Sequence, residues 1–208
     1  MLTVVAGIIG VGKTSLCEAL PGKKFYEPVE SNVYLEDYYR DPKKYAFIMQ
    51  MNVLMKRFKM FQQAHWDSLN GLDCIADRSI YEDYAFALVQ KEEGYMDEKV
   101  FKTYEEMHEL MQSYLVFPDL ILYLKVPVET AMERINIRAR GCESGIQKEY
   151  LDKLQAAYDR LLPQLARKCP VITIDATQDK EGVLHDAKEA IEKRRPELLI
   201  HPRYKGGF

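Results

Sequence analysis

Gly7-Ile8-Ile9-Gly10-Val11-Gly12-Lys13-Thr14-Ser15 is the stretch from which the rest of the chain is read. It has the pattern G-x-x-x-x-G-K-[ST], a phosphate-binding P-loop. Before it, Leu2 to Ala6 is an apolar run rich in β-branched residues, the signature of a buried strand. After it, Leu16, Ala19 and Leu20 begin a helical stripe. Strand, glycine loop and helix follow in the order the motif needs. Glycines let the backbone approach an anion, and the N–H groups at the helix start point at it. Lys13 is expected to reach the outer phosphates and the Thr14 hydroxyl to hold Mg²⁺. The loop therefore implies a nucleoside triphosphate, but not where its phosphate goes.

At 208 residues the chain fits one domain with a core of its own. It is 47% hydrophobic and 29% charged, the composition of a folded soluble domain. A net charge of −3 argues against a nucleic-acid partner. Cys17, Cys74, Cys142 and Cys169 form no C-x-x-C pair, so neither a zinc site nor a disulfide framework is expected. Reduced thiols point to a cytoplasmic setting. The N-terminus lacks a basic n-region and runs straight into the P-loop, so no signal peptide is expected. No run is long enough to span a bilayer, so no membrane partner is expected either.

Lys23 to Tyr26 reads as a second strand running into Glu27-Pro28-Val29, with a carboxylate at the ligand edge of the sheet. Tyr38 to Pro42 reads as a turn, and Lys43 to Asn70 as one long helix stopped by Gly71. Phe47, Met51, Leu54, Phe58 and Phe61 mark a single apolar face on that helix. Gln50 and Arg57, seven residues apart, project within ~20° of each other beside that stripe. Asp73 to Asp77 is a third strand leading into Asp77-Arg78-Ser79, followed by a helix that carries Asp83 and ends near Gly94. A helix over about 97–116 holds His108, which is given a structural role. Leu120 to Val126 is a fourth strand, and Pro127 opens a helix with Arg134 and Arg138 one turn apart. Arg138, Arg140 and Glu143 then mark a short segment around 138–145, expected to act as a lid over phosphates. A helix over about 146–168, a strand at Val171 to Ile174 and a last helix from Lys180 complete the pattern. Strands alternating with helices predict an α/β, P-loop kinase-like three-layer fold. Its five-stranded parallel sheet is covered by helices on both faces, and 1–208 reads as one domain.

These motifs, in this order and spacing, resemble the deoxyribonucleoside kinase family. The resemblance rests on the P-loop at Gly7 to Ser15, Glu27-Pro28-Val29, Tyr39 with Asp41-Pro42, Gln50, Asp77-Arg78-Ser79 with Asp83, and Arg134-x-x-x-Arg138-x-Arg140-x-x-Glu143. Tyr38 to Phe47 looks most like the bacterial deoxyadenosine and deoxyguanosine kinases. Two departures stand out. Many animal members have Glu where Asp77 stands, and they carry a Trp shortly after Glu-Pro-Val, where Glu30-Ser31-Asn32 follows here. The resemblance implies transfer of the γ-phosphoryl group of ATP, with Mg²⁺, to the 5′-hydroxyl of a deoxynucleoside. It also implies a homodimer, which is expected in any case because the helices over about 43–70 and 97–116 carry more Met and aromatic residues than one narrow stripe requires. It makes Glu27 the base for that hydroxyl. Arg78 becomes the cation at the transferring phosphoryl, alongside Lys13. Tyr39 and Glu143 bind the sugar 3′-hydroxyl, and Gln50 binds the base. Arg57 and Asp83 form the pair found in members that accept purines or cytosine, so deoxyadenosine is the expected first choice, with deoxyguanosine or deoxycytidine next. Gly7, Gly10, Gly12, Lys13, Thr14, Ser15, Arg134, Arg138 and Arg140 fall on the ATP side, and Thr14 with Asp77 on the metal.

Other functions fit less well. A nucleoside monophosphate kinase of thymidylate-kinase type needs cations for an acceptor phosphate, where Glu27 offers a base. A GTPase needs an N-K-x-D guanine reader, which the chain lacks. An inactive nucleotide-binding subunit would have lost Lys13, Glu27 or Arg78, and all three are present.

Overall fold

The structure, a computed structural model, describes residues 1–26, 32–138 and 145–199. Glu27, Arg140 and Glu143 lie outside the described residues, as does most of the expected lid. The strands are β1 (Leu2–Ala6), β2 (Lys23–Phe25), β3 (Cys74–Asp77), β4 (Leu120–Lys125) and β5 (Val171–Asp175). They form one sheet in the order β2-β3-β1-β4-β5, with every pair parallel. Between them run α1 (Lys13–Ala19), α2 (Leu35–Arg40), α3 (Pro42–Leu69), α4 (Asp83–Glu92), α5 (Glu98–Ser113), α6 (Val128–Arg138), α7 (Lys148–Leu165) and α8 (Lys180–Leu199).

All five residues of β1 are buried, as are the first five of β4. Successive side chains point to opposite faces, so both faces of the sheet are covered and the strands read as continuous apolar runs. Val5 pairs with Asp77 and Ala6 with Tyr123. That register sets the C-terminal ends of β1, β3 and β4 side by side, where open α/β sheets bind their ligands.

Two expectations about the long helix change. Residues 38–40 are not a turn but the last part of α2, whose first turn carries Glu36 and Asp37. Asp41 separates α2 from α3, where its side chain caps the new helix by accepting from the Lys44 N–H, with Pro42 in the first turn. The face of α3 turned inward is also different from the one expected. Ala46, Gln50, Leu54, Arg57, Phe61 and Ala64 are buried, whereas Phe47, Met51 and Phe58 are only partly so. Gln50 and Arg57 thus lie within the core-facing row, not beside it. At the other end, Gly71 takes φ +86 and donates to the Ser68 carbonyl while Leu72 donates to that of Asp67, which closes the helix.

Candidate active site

Two clefts open at the C-terminal edge of the sheet, one on each side of the P-loop. The first is lined by Lys13, Thr14, Asp77 and Arg78 at its sheet end and by Gln50, Arg57, Asp83 and Gln90 at its far end, with Tyr38, Tyr39 and Tyr150 along the walls. The second is lined by Gly12, Ser15, Arg134, Ala176, Gln178 and Lys180. Gly10 and Arg138 belong to both. The loop between the clefts has little room for anything but glycine. Gly10 has φ +87, and a Cβ there would lie 2.5 Å from the Ala131 carbonyl oxygen of α6. Arg134 braces the loop from below, donating to the Val11 carbonyl at 3.1 Å and to that of Ala176 at 2.9 Å. Lys13 folds onto the same loop and donates to the Ile8 carbonyl at 2.8 Å.

The parallel register brings Asp77 beside the start of α1. The Thr14 hydroxyl donates to Asp77 Oδ2 at 2.6 Å. Asp77 Oδ1 is buried and has no hydrogen-bond partner among the described residues. A hydroxyl next to a carboxylate with an uncommitted buried oxygen is a hard, oxygen-only donor set, and it suits Mg²⁺.

Arg78 follows on the strand's end with φ +73, a conformation uncommon away from glycine and frequent at functional sites. Its guanidinium lies over the Phe86 ring at 4.8 Å and donates to the Gly7 carbonyl at 2.9 Å and to the Tyr158 hydroxyl at 2.7 Å. Glu82, fully buried, stands 3.5 Å away. Burial pushes the Glu82 carboxyl above its ordinary range, and Arg78 and Tyr158 pull it back.

At the far end, Arg57 and Asp83 form an ion pair with both side chains about 1% exposed. Gln50 donates to the Asp83 backbone carbonyl at 3.2 Å and accepts from Gln90 at 3.2 Å. Gln90 Oε1 is buried with no hydrogen-bond partner among the described residues. The far end is therefore a polar pocket with spare hydrogen-bonding capacity inside apolar walls that include Met49, Val53 and Phe86. Such a place orients a flat heteroaromatic group.

The deoxynucleoside kinase family model matches residues 3–195, a span that holds both clefts. The chain belongs to the deoxynucleoside kinase family. As a deoxynucleoside kinase, it is similar to proteins from distant sources. The deoxyadenosine kinase of Dictyostelium discoideum is 38% identical over 205 residues, covering 95% of this chain and 82% of that protein. The deoxyadenosine/deoxycytidine kinase of Bacillus subtilis (strain 168) is 32% identical over 180 residues, covering 83% and 81%. Among solved structures, deoxyadenosine kinase from M. mycoides with bound dATP superposes with a TM-score of 0.82 at 30% identity, covering 92% of this chain and 99% of that one. The same enzyme with bound dCTP gives 0.80 at 28% identity, covering 93% and 100%. This kinase, like its family, is a phosphotransferase acting on deoxynucleosides.

The first cleft gathers Gly10, Lys13, Thr14, Asp77, Arg78, Tyr39, Gln50, Arg57, Asp83 and Arg138 from the residues singled out in the sequence. The second gathers Gly10, Gly12, Ser15, Arg134 and Arg138. Gly7 is different. It lines neither cleft, and a Cβ on it would meet the Leu124 carbonyl oxygen of β4 at 2.7 Å, so it serves close packing against the sheet. Among the site residues that escaped sequence reasoning, four bear most on the chemistry. Phe86 and Gln90 stand three and seven residues after Asp83 on one face of α4, a spacing that points to them once Asp83 is known. Glu82 carries the signal of a capping box, Ser79-x-x-Glu82, which points to a helix start but not to Arg78, and Tyr158 carries no such signal.

Proposed function

We propose that this kinase transfers the γ-phosphoryl group of ATP, with Mg²⁺, to the 5′-hydroxyl of deoxyadenosine by preference, with deoxyguanosine or deoxycytidine next and thymidine poor. The observation that supports this base preference most is the Arg57–Asp83 ion pair beside Gln50 at the closed end of the first cleft. An ionised Asp only accepts hydrogen bonds, as does the open Oε1 of Gln90. The exocyclic amine of adenine or cytosine donates to such acceptors, whereas thymine offers an oxygen and a methyl group there. Two facing acceptors leave both unsatisfied, at roughly 1–3 kcal/mol each. Arg57 can hold Asp83 and also donate to purine N7. Guanine O6 meets Asp83 unfavourably unless Arg57 intervenes, which ranks deoxyguanosine lower.

The two clefts give the reaction its geometry. The acceptor nucleoside fills the first, with Tyr39 and Glu143 at its sugar and Gln50 at its base. The donor fills the second, and Arg134, Arg138 and Arg140 serve its phosphates. The P-loop between them places the transferring group. Thr14 and Asp77 would hold Mg²⁺, which would neutralise charge on the phosphate oxygens. Glu27 takes the proton as the 5′-oxygen attacks the γ-phosphorus and the bond to the bridging oxygen breaks. Lys13 and Arg78 stabilise the charge that develops. We also propose a homodimer working in the cytoplasm. In support of that setting, Cys17, Cys74 and Cys169 are free and buried, and no helix among the described residues is long and apolar enough to cross a membrane.

Initial rates with ATP across the four deoxynucleosides and deoxyadenosine monophosphate test the proposal. Deoxyadenosine is expected to give the highest kcat/KM, and thymidine and the monophosphate the lowest. A monophosphate turned over faster than its nucleoside would contradict the reading.

A further inference from the structure

Arg78 has a strained backbone and a side chain removed from water, so its aim depends on what surrounds it. Three groups converge there. The Tyr158 hydroxyl, from α7, accepts from Arg78 Nη1 at 2.7 Å and donates to Glu82 Oε2 at 2.6 Å. A hydroxyl has one proton to give, so these two bonds fix its direction. Glu82 Oε2 also accepts from the Gly7 N–H at 3.4 Å, and Oε1 accepts from the Ser79 N–H at 3.0 Å. The Gly7 carbonyl takes its bond from Arg78. Both backbone polar groups of the first P-loop glycine are therefore held, one by the acid and one by the guanidinium. Neither Glu82 nor Tyr158 lines either cleft.

We propose that Glu82 and Tyr158 are positioning residues that fix the Arg78 guanidinium between the P-loop and α7. The inference rests on the reading of Arg78 as the cation at the transferring phosphoryl. A buried ion pair need not add stability, since desolvation offsets the attraction. A fully satisfied buried network does hold its members in one geometry. Displacement of a charge-stabilising group by an ångström costs on the order of 100-fold in rate. Tyr158→Phe removes the hydroxyl that bridges Arg78 and Glu82 while keeping the ring stacked on Tyr123, whose centroid is 5.7 Å away.

The test is a double-mutant cycle on the full chain with Tyr158→Phe, Arg78→Lys and the pair, reading kcat and KM for deoxyadenosine. Tyr158→Phe alone should lower kcat by roughly 10- to 100-fold with KM changed by no more than about twofold. In the Arg78→Lys background the same substitution should change kcat by less than about twofold, because what it positions is gone. A merely structural role would not move kcat in this coupled way. Glu82→Gln, run through the same cycle, is an independent entry to the network should Tyr158→Phe fail to fold. Equal losses in both backgrounds would overturn the proposal while leaving Arg78 in its role. An unchanged kcat in Arg78→Lys alone would overturn the role of Arg78 itself, and the proposal with it.

Discussion

His108 is buried on α5 and lines neither cleft. Its Nε2 lies 2.8 Å from the Ile80 carbonyl oxygen, so that nitrogen carries the proton, and Tyr84 and Tyr104 flank the ring. Burial pushes its pKa down to about 4, from an ordinary 6.5, against the opposing effect of the Ile80 bond. Above pH 6.5 folded and unfolded chains both hold it neutral. As pH falls from 6.5 towards 4, the unfolded chain takes up a proton that the folded one refuses, and stability drops by up to roughly 3 kcal/mol. Urea denaturation at pH 7.5 and 4.5 should therefore show a larger acid loss in the wild type than in His108→Gln. Equal losses in the two proteins would mean that His108 does not titrate this way.

At the scale of elements, α3 presents two apolar faces, and the surplus of Met and aromatic residues read from the sequence lies partly on the outer one. Ile48, Met51, Met55 and Phe58 form an outer stripe by their 3.6-residue spacing, and Trp66 and Leu69 extend it. Of these, Trp66 is 65% exposed, Leu69 57% and Met55 53%. On α5, Tyr114 just past the helix end and Leu110 are 73% and 51% exposed. Apolar surface gathered on two helices that pack on each other is a candidate subunit interface. Sedimentation at micromolar concentration should give twice the 24.2 kDa of one chain, and a single-chain mass would contradict the dimer. The same two-faced pattern explains what the sequence hid. Phe47, Met51 and Phe58 fit the core stripe by their spacing but are only partly buried, and the inward row admits Gln50 and Arg57 because it floors a cleft. The P-loop, the alternation of strands and helices and the Gly71 stop were legible because each is a local pattern with a local cause. The link from Tyr158 to Glu82 and Arg78 spans about eighty residues, and no spacing rule reaches that far.

For the whole molecule, the parallel sheet decides where chemistry is possible. Its register sets the P-loop, Asp77 and Arg78 at one edge, and α3 and α4 close the far end of the first cleft with Arg57 and Asp83. On the proposed roles, phosphoryl transfer and base selection fall on different elements and should separate on substitution. The most direct test exchanges the Arg57–Asp83 pair alone, comparing kcat/KM for thymidine and deoxyadenosine in the wild type and in Arg57→Met with Asp83→Ala. Removing both partners leaves no unpaired buried charge behind. The account predicts that the double exchange raises thymidine use relative to deoxyadenosine by at least about tenfold, the equivalent of one unsatisfied acceptor. An unchanged ratio, with stability lowered, would make the pair a structural one and contradict the account.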